Sequence, residues 1–226
     1  MKYIDFQNIM SADRINRYFQ STGNNSRKAM TLYRANLKLS QELFTIISCF
    51  EVALRNAIDR HYTALHGNNW LRDSASPGGM FNTRNCGKTP YIIATAMRKL
   101  TVYSHPGLIA QMEFGFWRYT FARHQFYAGG QGLLTVFPSK PVSTLTHSYN
   151  NQYFFDELER INGMRNRLAH HEPVCFRNGF AIKDTSYSRR IYNLLIRLFQ
   201  WMDINEAALL YGLDHVVDIC DKIDSI

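Results

Sequence analysis

The sequence lacks several features that mark membrane, secreted and zinc-binding proteins. No apolar run approaches the roughly 20 residues that a membrane-spanning helix needs, and the N-terminus has no signal-peptide core. No Cys-x-x-Cys pair occurs, and the four cysteines lie far apart, at Cys49, Cys86, Cys175 and Cys220. This spacing argues against both a zinc ribbon and a disulfide framework. These absences favour a protein of the reducing cytoplasm, with no membrane association, no bound metal and no cofactor.

Acidic residues are scarce over most of the chain. The formal net charge is +8, and the pI is about 9.4. Residues 203–226 run against this trend with a net charge of −5, so residues 1–202 carry +13. A body this basic favours a polyanionic partner such as nucleic acid, because each neutralised phosphate releases counterions. The acidic tail could cover the basic body, contact a basic partner or form a solvated helix face, and the last of these is preferred.

Strand signals are sparse, whereas apolar residues often recur at helical spacing. Ser11 is a good N-cap for a short helix that ends at Gly23. From about Ser26 to Gly67 the apolar residues keep a three-and-four rhythm without Pro or Gly, which predicts one very long helix or two nearly continuous ones. Pro106 can open a later helix that runs through Phe121. The predicted fold class is therefore all-α.

The whole chain, residues 1–226, is predicted to be a single domain. Residues 69–88 and 123–150 are rich in glycine and polar residues and are predicted to be loop-rich insertions. Within the second insertion, the apolar run from Leu133 to Phe137 fits either a strand or a buried loop. Residues 203–226 are predicted to form an acidic helical tail.

One short cluster of arginine, asparagine and histidine residues is the best candidate for a catalytic or binding site. Arg165, Asn166, His170 and His171 lie within two helical turns, and Pro173 follows to stop the helix. An arginine can hold phosphate and a histidine can move a proton near neutral pH, which together suffice to cut RNA without a metal.

Spacing by itself does not single out this cluster. Four other pairs place a histidine five to seven positions after an arginine, namely Arg55/His61, Arg60/His66, Arg98/His105 and Arg118/His124. What distinguishes the cluster is its detail: an asparagine directly after the arginine, a small Ala169 before a doubled histidine, and the proline that follows.

With these residues the chain resembles HEPN ribonucleases, specifically the Abi-like (AbiD/AbiF-type) abortive-infection proteins. Arg165-Asn-x-x-Ala-His170-His171 is similar to their signature, an arginine followed directly by asparagine, with a histidine after four to six residues counted from the arginine. Residues 39–62, with Phe50-Glu51 and Leu54-Arg55-Asn56, resemble the long N-terminal helix of that family. Residues 112–117, Met-Glu-Phe-Gly-Phe-Trp, resemble its Met-Ser-Phe-Gly segment.

The resemblance implies a HEPN-like helical bundle built on the long N-terminal helix. It also implies a metal-independent endoribonuclease that leaves a 2′,3′-cyclic phosphate and serves in phage defence or as a toxin. Such an enzyme must be restrained, and the resemblance allows a protein antitoxin, a bound small non-coding RNA or a phage trigger. Family members generally build one catalytic centre from two motifs, and this chain has one good motif, so a homodimer is expected.

Within this expectation, Arg165, Asn166 and His170 are the catalytic candidates. Arg165 would hold the scissile phosphate, Asn166 would orient the phosphate or the imidazole, and His170 would act as general base or general acid. His171 also satisfies the family spacing, but His170 is preferred because it lies four residues after Asn166 and so on the same helix face. Arg167 and His171 are assigned RNA-binding or supporting roles.

Glu51, Arg55 and Asn56 are assigned supporting roles because they match polar family positions that flank the groove. Glu51 and Arg55 are also ideally spaced for a plain intrahelical salt bridge. On a straight helix Arg165 and His170 point about 140° apart. Fraying of the helix end, wrapping of the arginine side chain or a second copy of the helix could each bring the two groups to one phosphate.

Three other interpretations of the cluster remain. The basic residues could simply complement the carbonyl end of a helix. Metal binding by His170, His171 and Cys175 is disfavoured, because the spacing is not that of a zinc site and a fourth ligand is missing. Finally, the chain could be a non-catalytic module that holds a structured RNA, or a plain protein-interaction dimer.

Overall fold

The computed structural model describes residues 1–226 and confirms the all-α prediction. Twelve α-helices follow one another along the chain: α1 Tyr3–Met10, α2 Ala12–Ser21, α3 Ser26–His66, α4 Trp70–Ser74, α5 Lys88–Arg98, α6 His105–Ala110, α7 Phe114–Tyr119, α8 Arg123–Ala128, α9 Asn151–Ala169, α10 Ser186–Trp201, α11 Glu206–Leu209 and α12 Val216–Ser225. Two 3₁₀ turns, Arg84–Cys86 and Leu133–Val136, complete the set. No β-strand is present, and an isolated bridge pairs Phe176 with Lys183.

The long helix predicted near the N-terminus is confirmed as one continuous element. α3 has 41 residues, and one face of it is buried along its length, whereas Leu37, Phe44, Val52 and Leu65 are exposed. It ends at Gly67, whose φ of +85° lies in the left-handed region and whose N–H donates to the Thr63 carbonyl at 2.9 Å. Glycine adopts this conformation without the clash that a side chain would meet, which explains why the helix stops there.

The chain divides into two compact units, and α3 and α9 each contribute residues to both. The first unit comprises Met1–Ser48, Gly163–Arg197 and Glu206–Ile226. The second comprises Cys49–Asn162 and Leu198–Asn205. All residues of the Arg165–His171 cluster therefore belong to the first unit.

An aromatic cluster forms the core of the first unit near its N-terminus. The ring of Tyr18 on α2 lies 5.1 Å from that of Tyr33 on α3 and 4.9 Å from that of Phe176. Phe6 on α1 packs edge-on against Tyr33 at 5.3 Å. All four rings are buried. Their packing fixes the segment that follows α9 against the first helices of the chain.

Part of the acidic tail covers basic residues of its own unit. Arg189 on α10 donates to Asp221 at 2.7 Å and to Asp224 at 2.9 Å, and Thr185 also donates to Asp224. Lys28 donates to the C-terminal Ile226 carbonyl at 2.8 Å. Asp221 and Asp224 remain exposed to solvent, so these acids lie on a solvated helix face, as preferred from the sequence, and also pair with Arg189. The sequence of the tail could not reveal the pairing, because the partners lie 32 to 198 residues away.

In the second unit, an aromatic stack closes the core where the loop-rich insertion returns to α9. Phe137 and Phe154 are stacked with centroids 4.3 Å apart, and Phe121 lies 6.0 Å from each. The apolar run that begins at Leu133 forms the second 3₁₀ turn and is largely buried. It is therefore a buried turn rather than a strand.

The segment predicted as one helix from Pro106 through Phe121 is divided in two. α6 ends at Ala110, and α7 begins after Glu113, whose backbone is extended with φ −79° and ψ 162°. Burial of Met112, Phe114 and Trp117 accompanies this break. Apolar spacing alone did not show it, because the positions stay buried on both sides of the turn.

No helix of the structure is both long and apolar enough to cross a membrane.

Candidate functional site

The end of α9 is closed by a left-handed turn at His171. Its backbone has φ 56°, and its N–H donates to the Leu168 carbonyl at 3.0 Å. The next residue, Glu172, donates its N–H to the Arg167 carbonyl at 2.9 Å. These two bonds define a Schellman motif, with His171 at the position that glycine usually takes. The histidine holds a conformation that costs an L-residue about 1 kcal/mol or more.

His170 and His171 are distinguished by this turn. The N–H of His170 donates to the Asn166 carbonyl at 3.0 Å, so His170 still follows the path of the helix, one turn beyond Asn166. His171 leaves that path. The backbone geometry therefore supports the choice of His170 as the residue that shares a helix face with Asn166.

Arg167 is engaged within the chain. Its Nε lies 3.3 Å from a Glu172 carboxylate oxygen, and its Nη2 donates to the Pro173 carbonyl at 2.7 Å. Its guanidinium also lies 5.6 Å from the centre of the Tyr187 ring. Three contacts hold it to the segment that follows the helix. Arg167 was expected to contact RNA, but in the structure its charge has an intramolecular partner, Glu172.

Two arginines of α2 fix the same segment from the other side. Arg14 Nη2 donates to the His171 carbonyl. Arg17 donates to the Phe180 carbonyl through Nη2 at 2.6 Å and to the Arg177 carbonyl at 2.9 Å. Sequence reasoning missed both, because nothing in charge or local spacing separates them from other surface arginines. Their partners lie about 160 residues away.

The remaining members of the cluster have unengaged side chains. Arg165 is partly exposed, and Asn166, His170 and His171 are exposed. None of these four side chains makes a hydrogen bond, an ion pair or a ring contact within the chain. An asparagine, a guanidinium and two imidazoles thus present their hydrogen-bonding groups to solvent within two helical turns. This arrangement suits capture of an external anion such as phosphate.

Most of the other arginine–histidine pairs are committed to structural contacts. His61 Nδ1 lies 3.2 Å from the Thr135 hydroxyl, and burial lowers the pKa of His61. His105 Nε2 lies 2.8 Å from an Asp59 carboxylate oxygen. Arg118 is buried and forms an ion pair at 3.2 Å. The cluster at the end of α9 therefore differs from these pairs in its freedom to bind a ligand.

Glu51, Arg55 and Asn56 lie on α3 in the second unit. Glu51 and Arg55 are half-buried, and Asn56 is exposed. The Nε atom of Arg55 is buried and has no hydrogen-bond partner. A buried donor without an acceptor is uncommon in folded proteins, so Arg55 stands out among the supporting candidates.

Metal coordination by the two histidines and Cys175 finds no support in the geometry. Cys175 is fully buried, and burial raises the pKa of its thiol to about 12, so the thiol stays protonated. Both histidines are exposed. No group of three or more His, Cys, Asp or Glu side chains is arranged to hold a metal ion.

Comparison with known proteins yields no relative for this chain. No family model matches it, and no curated protein or solved structure matches it either. The resemblance to HEPN ribonucleases therefore stays a prediction from the residues themselves.

The contrast between Arg167 and Arg165 predicts that substitution of Arg167 destabilises the protein and substitution of Arg165 does not. Arg167→Ala removes a hydrogen bond to a carbonyl and an ion pair and should lower the free energy of unfolding by about 1–2 kcal/mol. Arg165→Ala removes no intramolecular contact and should change it by less than about 0.5 kcal/mol. Urea unfolding followed by circular dichroism measures both, and equal destabilisation by the two variants would contradict the assignment.

The left-handed turn predicts that His171→Gly stabilises the protein. Glycine relieves the strain at φ 56°, and the gain should be about 0.5–1 kcal/mol. His170→Gly is the matched control, because His170 continues the helix and gains nothing from glycine. Thermal unfolding compares the two, and a lower melting temperature for His171→Gly would show that its side chain, not its backbone, matters there.

Proposed function

We propose that this protein is a metal-independent endoribonuclease of the HEPN type. The observation that carries the proposal is the group of unengaged side chains at the end of α9, where Arg165, Asn166 and His170 lie within six residues. They lie beside the end of α9, whose last carbonyl groups accept backbone N–H groups, while Arg14 and Arg167 donate to carbonyls of the segment that follows the helix. Their donors are thus left available for a ligand.

These side chains can carry out transesterification of RNA. Arg165 neutralises charge that builds on the phosphate oxygens in the transition state. His170, as general base, takes the proton of the ribose 2′-hydroxyl, whose oxygen attacks the phosphorus and displaces the 5′-oxygen. A proton from a general acid completes the leaving alcohol, and a 2′,3′-cyclic phosphate remains. The reaction requires the 2′-hydroxyl, so DNA is not a substrate.

The charge of the first unit favours an RNA substrate. The unit carries 15 lysines and arginines against 10 aspartates and glutamates. Two of those acids, Asp221 and Asp224, pair with Arg189. The remaining cationic surface attracts the phosphate backbone and increases affinity at low salt.

Two copies of α9 form the active site in this proposal. On one helix, Arg165 and His170 point about 140° apart, so a single copy does not aim both groups at one phosphate. A two-fold axis would place Arg165 of one chain near His170 of the other. The homodimer and its shared groove therefore belong to the proposed mechanism.

A second function has its own supporting observation. A catalytic histidine is usually oriented by a hydrogen bond, whereas the ring of His170 has no partner in this chain. That freedom favours a non-catalytic module in which Arg165 and His170 hold a structured small RNA.

Phage defence or toxicity, and restraint by an antitoxin or a bound RNA, belong to the first proposal, the ribonuclease.

Incubation of the purified protein with RNA and with the matching DNA in EDTA tests the two functions. The enzyme should cut RNA alone, and Arg165→Ala and His170→Ala should each slow cleavage by about 10²–10⁴-fold. Arg27→Ala is the matched control, because Arg27 is exposed on α3 in the same unit and lies outside the cluster.

The outcomes separate the candidates. Tight RNA binding without cleavage, after any co-purified RNA is removed, supports the binding module. Cleavage that EDTA abolishes, or that His170→Ala leaves intact, excludes the proposed chemistry. Failure to bind RNA even at low salt rules out both functions.

A mixing experiment tests the shared site. If each centre takes Arg165 from one chain and His170 from the other, a heterodimer of the two inactive variants contains one intact centre. An equal mixture, after subunit exchange, should recover about a quarter of the wild-type activity. Activity no higher than that of either variant alone, with heterodimers shown by native mass spectrometry, would place each centre within one chain.

A further inference from the structure

The second unit contains an open cleft that none of the proposed catalytic residues lines. It lies between the 3₁₀ turn Arg84–Cys86 and α8, and its volume is about 480 Å³. This is within the range of small-molecule sites, about 300–1,000 Å³. Its walls are formed by Thr83, Asn85, Arg123, His124, Tyr127 and Ala128.

The polar groups of the cleft suit an anion. Arg123 and His124 supply nitrogen donors, and Asn85 and Thr83 add an amide and a hydroxyl, whereas no carboxylate lines the cleft. None of these four side chains is hydrogen-bonded or ion-paired within the chain. A guanidinium without a carboxylate in a concave site is well placed to bind phosphate.

Several other arginines of the same unit, unlike Arg123, are paired with carboxylates. Arg72 pairs with Asp73 at 2.8 Å, and Arg118 and Arg160 also form ion pairs with carboxylates. Arg123 lacks such a partner although it lines a cleft. Its charge is therefore available to a ligand.

Tyr127 adds an aromatic surface to the cleft. Its side chain is 54% exposed, while its neighbour Phe126 is buried in the core. A tyrosine ring that is open to solvent can stack on a nucleobase. Phosphate-binding donors and a stacking ring together match the two ends of a nucleotide.

The wall that carries these residues is held firmly in place. Gln125 of α8 donates to the buried Thr89 hydroxyl at 3.2 Å. Gly129, directly after α8, lies against the buried Tyr62, because a Cβ built on it would be 2.2 Å from the tyrosine oxygen. This wall of the cleft is thus preorganised, which reduces the entropy lost on binding.

We propose that this cleft binds one nucleoside 5′-phosphate, either free or as a single residue of an RNA strand. Arg123 and His124 contact the phosphate, Tyr127 stacks on the base, and Asn85 and Thr83 bond to the sugar or the base edge. The site is distinct from the cluster on α9 and requires no cleavage.

Titration of the full-length protein with AMP, adenosine and inorganic phosphate tests the proposal by isothermal calorimetry. AMP should bind more tightly than adenosine or phosphate. Arg123→Gln and Tyr127→Leu should each weaken AMP binding by about tenfold or more. Arg60→Gln, an exposed arginine of the same unit outside the cleft, should leave it unchanged. Circular dichroism confirms that each variant is folded.

The results either support or overturn the site. No AMP binding at millimolar concentration, equal affinity for adenosine and AMP, or equal loss in Arg60→Gln overturns it. A single-stranded trinucleotide then identifies the source of the nucleotide. If the trinucleotide binds more tightly than AMP and Arg123→Gln abolishes that binding, the ligand of the cleft is a residue of an RNA strand. If the trinucleotide and AMP bind equally, the ligand is the free nucleotide. Because His170→Ala should not affect AMP binding, failure of the ribonuclease proposal stays distinguishable from failure of this one.

Discussion

The carbonyl groups exposed where α9 ends are the constraint on which the candidate site depends. The last carbonyls of any helix lack intrahelical donors and need partners from elsewhere. Here the backbone N–H groups of residues 170–172 bond to the carbonyls of residues 166–168. Arg14 and Arg167 supply donors to the carbonyls of His171 and Pro173 in the segment that follows. The end of the helix is therefore satisfied without the side chains of Arg165 and His170.

Because some arginines already bind groups of the chain and others do not, they differ in how favourably they can bind phosphate. A guanidinium that already binds a carbonyl or a carboxylate must break those contacts before it can bind phosphate, and that exchange lowers its net gain. Arg165 has no such contact to lose. Arg123 of the second unit is in the same position, since it lines a cleft without a carboxylate. Freedom from intramolecular pairing, more than charge itself, identifies the cations that can serve a ligand.

In the first unit, too, some cations are paired within the chain and others are not. The acidic tail makes specific contacts with Arg189 and Thr185, and the C-terminus accepts a bond from Lys28. These exposed pairs add little stability individually. Their main effect is to neutralise Arg189, whereas Arg165 near the end of α9 has no such partner.

The sequence by itself determined the all-α class, the long helical segment from Ser26 to Gly67, and the place where α9 stops, because each follows from local spacing, capping and helix-breaking residues. The structure decided that this segment is one helix rather than two. The sequence also identified the Arg165–His171 cluster as the richest in chemistry. Only the tertiary structure decided which of its arginines is free, since the packing turns Arg167 toward Glu172, Pro173 and the Tyr187 ring. The contacts of Arg14, Arg17 and Arg189 were hidden because their partners lie 32 to 163 residues away. The cleft beside α8 was likewise hidden, because its walls come from segments about 40 residues apart whose approach depends on packing.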